Sequence, residues 1–139
     1  MNYGITITVP EAFDAAVERT RAALKEQGFG VLTEIDVRAT FNEKLGAESS
    51  QALGDYVILG ACNPPLAQQV LTAEPDMGLL LPCNVVIRRA PGAAATTVQA
   101  IDPQTMVELS GSGAIKGTAD EVGRRLRAVL ASVEAGFAA

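Results

Sequence analysis

Pro91-Gly92 constrains this chain more than any other feature, because it is a turn signal between two strand-like runs, Leu79 to Arg89 and Thr96 to Ile101. Two such runs joined over so few residues pair as a hairpin, and a hairpin is antiparallel. An all-parallel α/β sheet is thereby excluded. The first run carries Pro82, which cannot donate to a ladder, so a bulge or an edge position is expected there.

Around that hairpin, helical and strand patterns alternate. Tyr3 to Val9 predicts a strand, and Pro10 opens a helix whose apolar face is Phe13, Val17, Thr20 and Leu24, ended by Gly28. Phe29 to Arg38 alternates as a second strand; Phe41 to Leu45 reads as a short helical turn, and Ala47 to Gly54 as loop. Tyr56 to Cys62 is a continuous apolar run, which predicts a central strand covered on both faces. Asn63 and Pro64 then suit the N-cap and first position of a helix, with Leu66, Val70 and Leu71 on its apolar side. Asp102-Pro103 repeats the device for a short helix through Leu109. Thr118 to Glu121 reads as a capping box, opening a long last helix with Val122, Leu126, Val129, Leu130 and Val133 inward and a frayed tail after Gly136. The pattern predicts one α+β domain over residues 1–139, an antiparallel-dominated sheet packed against two long helices.

Composition narrows the function classes. Hydrophobic residues at 48% and charged ones at 19% are globular values, and aromatics at 4% make the core aliphatic. A net charge of −5 disfavours phosphate backbones and anionic lipid, so neither nucleic acid nor membrane is expected as a partner. Histidine is absent, which removes Ser-His-Asp and Cys-His chemistry, and no other recognised catalytic constellation takes their place. The opening Met-Asn-Tyr-Gly lacks a basic region followed by an apolar run, so a cytoplasmic location with reduced cysteines is expected. The apolar fraction also exceeds what a monomer of this size comfortably buries, which predicts a homodimer, with an edge strand bearing Val86 and Arg88 as one candidate surface.

Two fragments concentrate the chemistry, Ala61-Cys62-Asn63-Pro64-Pro65 and Leu81-Pro82-Cys83-Asn84-Val85. Each puts a Cys-Asn pair beside proline at a strand edge, and antiparallel neighbouring strands would bring the thiols to one end of the sheet. Two thiols without histidine would need carboxylates to complete a four-ligand zinc site, so no metal is expected, and the sequence leaves any cofactor unknown. Glu34 and Asp36 share a strand face, as solvated charges ordinarily do. The candidate pocket comprises Asp36, Cys62, Asn63, Pro64, Pro82, Cys83, Asn84 and Asp102. Its amides and carboxylates would orient a small polar ligand against Leu81 and Met106. The alternative is a thiol redox or thiol-transfer protein using Cys62 and Cys83.

The run Tyr56 to Ala67, with its Ala-Cys-Asn-Pro-Pro, and Gly78 to Val86, with its Leu-Pro-Cys-Asn, resemble the bacterial family called domain of unknown function 302. Gly28 to Leu32, Ile35-Asp36-Val37 and Ile101-Asp102-Pro103 through Met106 also look like that family, so the resemblance spans nearly the whole chain. It implies a curved antiparallel sheet gripping a long helix, similar to the TATA-binding-protein-like (helix-grip) architecture, and a tendency to homodimerise. It implies no activity, and the DNA-binding role of the similar fold does not transfer with the architecture.

Overall fold

The computed structural model describes residues 2–137. Strand β1 (Gly4–Val9) leads through helix α1 (Phe13–Glu26) to β2 (Gly30–Asp36), and α2 (Val37–Leu45) and α3 (Ala47–Leu53) precede β3 (Asp55–Cys62). Helix α4 (Pro64–Ala73) and a 3₁₀ segment (Pro75–Leu80) reach β4 (Cys83–Arg89), which turns into β5 (Thr96–Ile101). Helix α5 (Gln104–Ser110), a 3₁₀ turn (Gly113–Ile115) and α6 (Lys116–Phe137) follow. The strand order is β1-β5-β4-β3-β2, and every neighbouring pair is antiparallel. This is an open α+β arrangement with β1 and β2 as edges, joined by α1, which crosses from one edge to the other.

The pleat separates the two faces of the sheet. Val57, Leu59 and Ala61 of β3, Val85 and Ile87 of β4, and Val98 and Ala100 of β5 are all buried. Against them lie Ala16, Ala23 and Leu24 of α1 and Leu126, Val129, Leu130 and Val133 of α6. The core is aliphatic, as a chain with 4% aromatics requires. Gly28, at φ 84°, ends α1: its N–H bonds Lys25 O at 3.0 Å and the Phe29 N–H bonds Leu24 O at 2.9 Å. On the other face, Ile35, Ile58, Val86, Gln99 and Thr6 stand opposite one another across all five strands. Among the described residues, no helix is long and apolar enough to cross a membrane.

Several expectations are corrected. Strand β3 is covered on one face only; Tyr56 and Ile58 are half-buried on the other, so its continuous apolar run does not mean two covered faces. Ala47–Leu53 is a helix, not a loop, and α2 begins at Val37. These two helices pack on each other and are held by polar bonds: Asp36 Oδ1 accepts from the Ala39 N–H at 2.9 Å, and Ser50 Oγ donates to Ala47 O at 2.9 Å. Helix α6 begins at Lys116, so Thr118 lies within its first turn and donates to Gln69 Oε1 of α4 at 3.1 Å rather than capping. Strand β4 begins after Pro82 and is hydrogen-bonded on both sides, so the proline needs neither edge nor bulge, and Val86 and Arg88 lie on the open face of an interior strand. Phe137 is still helical, and the tail beyond it lies outside the described residues.

Candidate functional site

A cavity of about 270 Å³ opens where β3 ends and β4 begins. Register places it there: Ala61 stands opposite Cys83, and Cys62 opposite Gly30. Asn63 turns the chain out of β3 into α4, its Oδ1 accepting from the Leu66 N–H at 3.2 Å, with Pro64 and Pro65 filling the first helical positions. That turn lays Leu66, Ala67, Val70 and Leu71 along one wall. Phe29, Leu32 and Thr33 form the wall beside β2, and Met106, Ile115, Ala119 and Val122 the side beneath α5 and α6.

A register shift between Val31 and Thr33 shapes the mouth. The extra residue of this bulge, Leu32, is left 65% exposed, and Leu71, which also lines the cavity, is 39% exposed. Thr33 is turned towards Gly60, where a β-carbon would overlap the Thr33 hydroxyl and come 2.8 Å from Pro82 Cγ. Only glycine lets Thr33 and Pro82 close over the strand at that point.

Both thiols line the cavity, and both are free. Cys83 is buried, and that burial, reinforced by nearby Cys62, pushes its pKa up to about 11. Cys62 is half-buried. Among the described residues, no charged side chain lines the walls. Arg125, whose Nη1 lies beside Gly28, is already occupied, its Nε donating to Glu121 Oε1 at 2.8 Å and its Nη1 to Gln27 O at 3.2 Å. Hydrogen bonds from Arg124 and Arg125 hold the Glu121 carboxyl below its usual range, so that partner stays ionised.

Of the residues singled out from sequence, the cavity brings together Cys62, Asn63, Pro82 and Cys83, with Leu81 and Met106 as apolar walls. It does not include Asp36, Pro64, Asn84 or Asp102. Asp36 lies at the far end of β2 as the cap of α2. Asn84 is exposed opposite Gly60 on the open face, since the pleat turns it away from its neighbour Cys83. Asp102 accepts from the Gln104 N–H at 3.0 Å and from Arg127 Nη2 at 3.3 Å, as a structural cap. Pro64 is exposed on α4. Glu34, on the same strand as Asp36, pairs with Arg21 of α1 at 2.8 Å. Phe29, Leu32, Leu66, Val70, Ile115 and Val122 line the site without having been singled out, because an apolar side chain that lines a cavity reads like one that fills a core.

The model of the family described as "Domain of unknown function DUF302" matches residues 5–133. The crystal structure of an uncharacterized conserved protein DUF302 from Bacillus stearothermophilus is similar, with a TM-score of 0.85 and 29% identity over 96% of this chain and 99% of that one. No curated protein matches the chain.

Proposed function

We propose that this chain, which belongs to the DUF302 family, is a homodimeric small-ligand-binding module whose site is the cavity at the cysteine end of the sheet. The observation that carries this reading is the preformed, mostly apolar cavity, walled by segments from distant parts of the chain and open at a rim of exposed leucines. Apolar walls left without a filling forfeit packing on one side, which disfavours keeping such a space empty. Native mass spectrometry of the protein, purified without organic solvent, is expected to reveal a bound small molecule. Ala67→Phe, which places a ring in the cavity, is expected to abolish it. A spectrum holding only polypeptide masses in the wild-type protein would count against the reading.

The dimer is proposed to form through the open face of the sheet. The row of exposed Ile35 with half-buried Ile58 and Val86 is apolar there, running inward from edge strand β2, and both long helices pack on the opposite face. Light scattering at micromolar concentration is expected to give twice the chain mass, and Ile58→Glu, which puts a charge at the middle of the row, to give one chain mass. A wild-type monomer defeats the dimer, and an Ile58→Glu dimer moves the interface elsewhere.

A thiol redox or thiol-transfer role is the second reading, favoured by Cys62 and Cys83 lining one cavity from adjacent strands.

A further inference from the structure

Resting on the ligand-binding reading above, we infer that the cavity takes a neutral apolar compound of roughly ten to twelve carbons carrying one hydrogen-bond acceptor. Size comes first. An apolar cavity of about 150 Å³ accommodates a benzene ring, and this one measures about 270 Å³. The walls then fix polarity, since they are aliphatic or aromatic apart from Asn63, Thr33 and the two thiols.

Charge is excluded by a count of donors at α4. An anion held by a helix N-terminus needs free backbone N–H groups. Here Pro64 and Pro65 have none, the Leu66 N–H is taken by Asn63 Oδ1, and the Ala67 N–H is bonded to Asn63 O at 2.8 Å. Among the described residues no cation lines the cavity, and Arg125 is held by Glu121 and Gln27, so a carboxylate there would be unbalanced, and desolvating it is strongly unfavourable.

One donor is left over. Asn63 is 7% exposed, yet among the described residues its Nδ2 makes no hydrogen bond. That amide N–H keeps contact with solvent and has no protein acceptor among the described residues, so it is free to donate to a ligand oxygen at the cavity wall. Nδ2 lies beside Gly28, where a β-carbon would come 3.0 Å from it and 3.2 Å from Arg125 Nη1, so glycine is what lets the amide sit there.

A matched set of ten-carbon probes tests each part: butyrophenone, neutral with one acceptor; butylbenzene, with none; and 4-phenylbutyrate, an anion. Titration of the whole protein at pH 7.5, followed by NMR, is expected to rank butyrophenone first. Butylbenzene should bind about fivefold more weakly, the worth of one hydrogen bond. 4-Phenylbutyrate should bind at least tenfold more weakly than butyrophenone. Asn63→Asp keeps an oxygen for the Leu66 cap and removes the amide donor, so it is expected to erase the butyrophenone advantage over butylbenzene. Tightest binding by 4-phenylbutyrate, or an advantage that survives Asn63→Asp, overturns the ligand class and leaves the cavity reading intact. No binding of any probe, or binding unaltered in Ala67→Phe, overturns the cavity reading itself. The wild-type ranking alone decides the charge question, whatever the stability of the variants.

Discussion

Gly54→Ala is expected to destabilise the protein by more than about 3 kcal/mol, lowering the unfolding midpoint by roughly 10–15 °C. Two independent effects converge on this residue. Its backbone lies at φ 80° and ψ −158°, a region that residues with a β-carbon essentially avoid. A β-carbon there would also sit 2.5 Å from Arg89 O, 2.9 Å from Pro91 Cδ and 3.1 Å from Pro91 N. The nearest atom is backbone, and the proline ring is stiff, so neither can yield by a rotamer change. The close approach arises because the junction of α3 and β3 packs beneath the β4–β5 turn, with Asp55 opposite Arg89 at the end of the ladder. Gly46 is the internal control: its φ of 97° and ψ of 169° impose similar strain, but a β-carbon there meets nothing within 4 Å. Gly46→Ala is therefore expected to cost about 1–3 kcal/mol. Thermal or urea unfolding of both variants checks the pair. Equal losses would mean that the packing of the turn on α3 places no demand on Gly54.

Sequence reasoning reached those parts of the fold that are governed by local chemistry. Apolar spacing and Gly28 define α1, Asn63-Pro64 defines the start of α4, and Pro91-Gly92 defines the β4–β5 turn, since each signal acts within a few residues. It failed where stability comes from contacts distant along the chain or from polar bonds. Helix α3, Ala-Glu-Ser-Ser-Gln-Ala-Leu, has almost no apolar face to read, and is held by packing on α2 and by its own side-chain bonds. The same limit acts on the site. Asp36 and Asp102 drew notice as carboxylates able to orient a polar ligand, yet aspartates at element boundaries commonly serve as caps, and here each accepts a backbone N–H. The polar residues at the cavity were legible because cysteine and asparagine beside proline are unusual. The apolar majority was not, since only the register of β2, β3 and β4 gathers it around one space.

Cys83 is expected to resist thiol reagents in the folded protein, and this result bears directly on the redox reading. The thiolate is the nucleophile, and burial pushes the Cys83 pKa up to about 11, some two units or more above that of an ordinary cysteine. The thiolate fraction near neutral pH therefore falls roughly a hundredfold, before any steric shielding. A Cys62→Ser chain, which keeps only Cys83, should consume a disulfide reagent at pH 7.5 at least about a hundredfold more slowly than free cysteine, and promptly once unfolded in urea. The same shift makes stability depend on pH. The folded state holds the Cys83 proton to a higher pH than the unfolded chain does, so unfolding releases a proton between those two pKa values. The contribution is complete below the unfolded thiol's pKa and is lost as pH rises through about 11, amounting to about 2–3 kcal/mol. Urea midpoints of the wild-type and Cys83→Ser chains should accordingly converge as pH is raised from 8 towards 11, whatever the lysines and tyrosines common to both contribute. A Cys83 that reacts as fast as free cysteine, with midpoints that do not converge, would show a thiolate accessible in the cavity. That outcome favours thiol–disulfide exchange with an external disulfide, using Cys62 and Cys83. Slow reaction and convergence leave Cys83 a neutral wall of the binding cavity, and thiol exchange then has only Cys62 as a ready nucleophile.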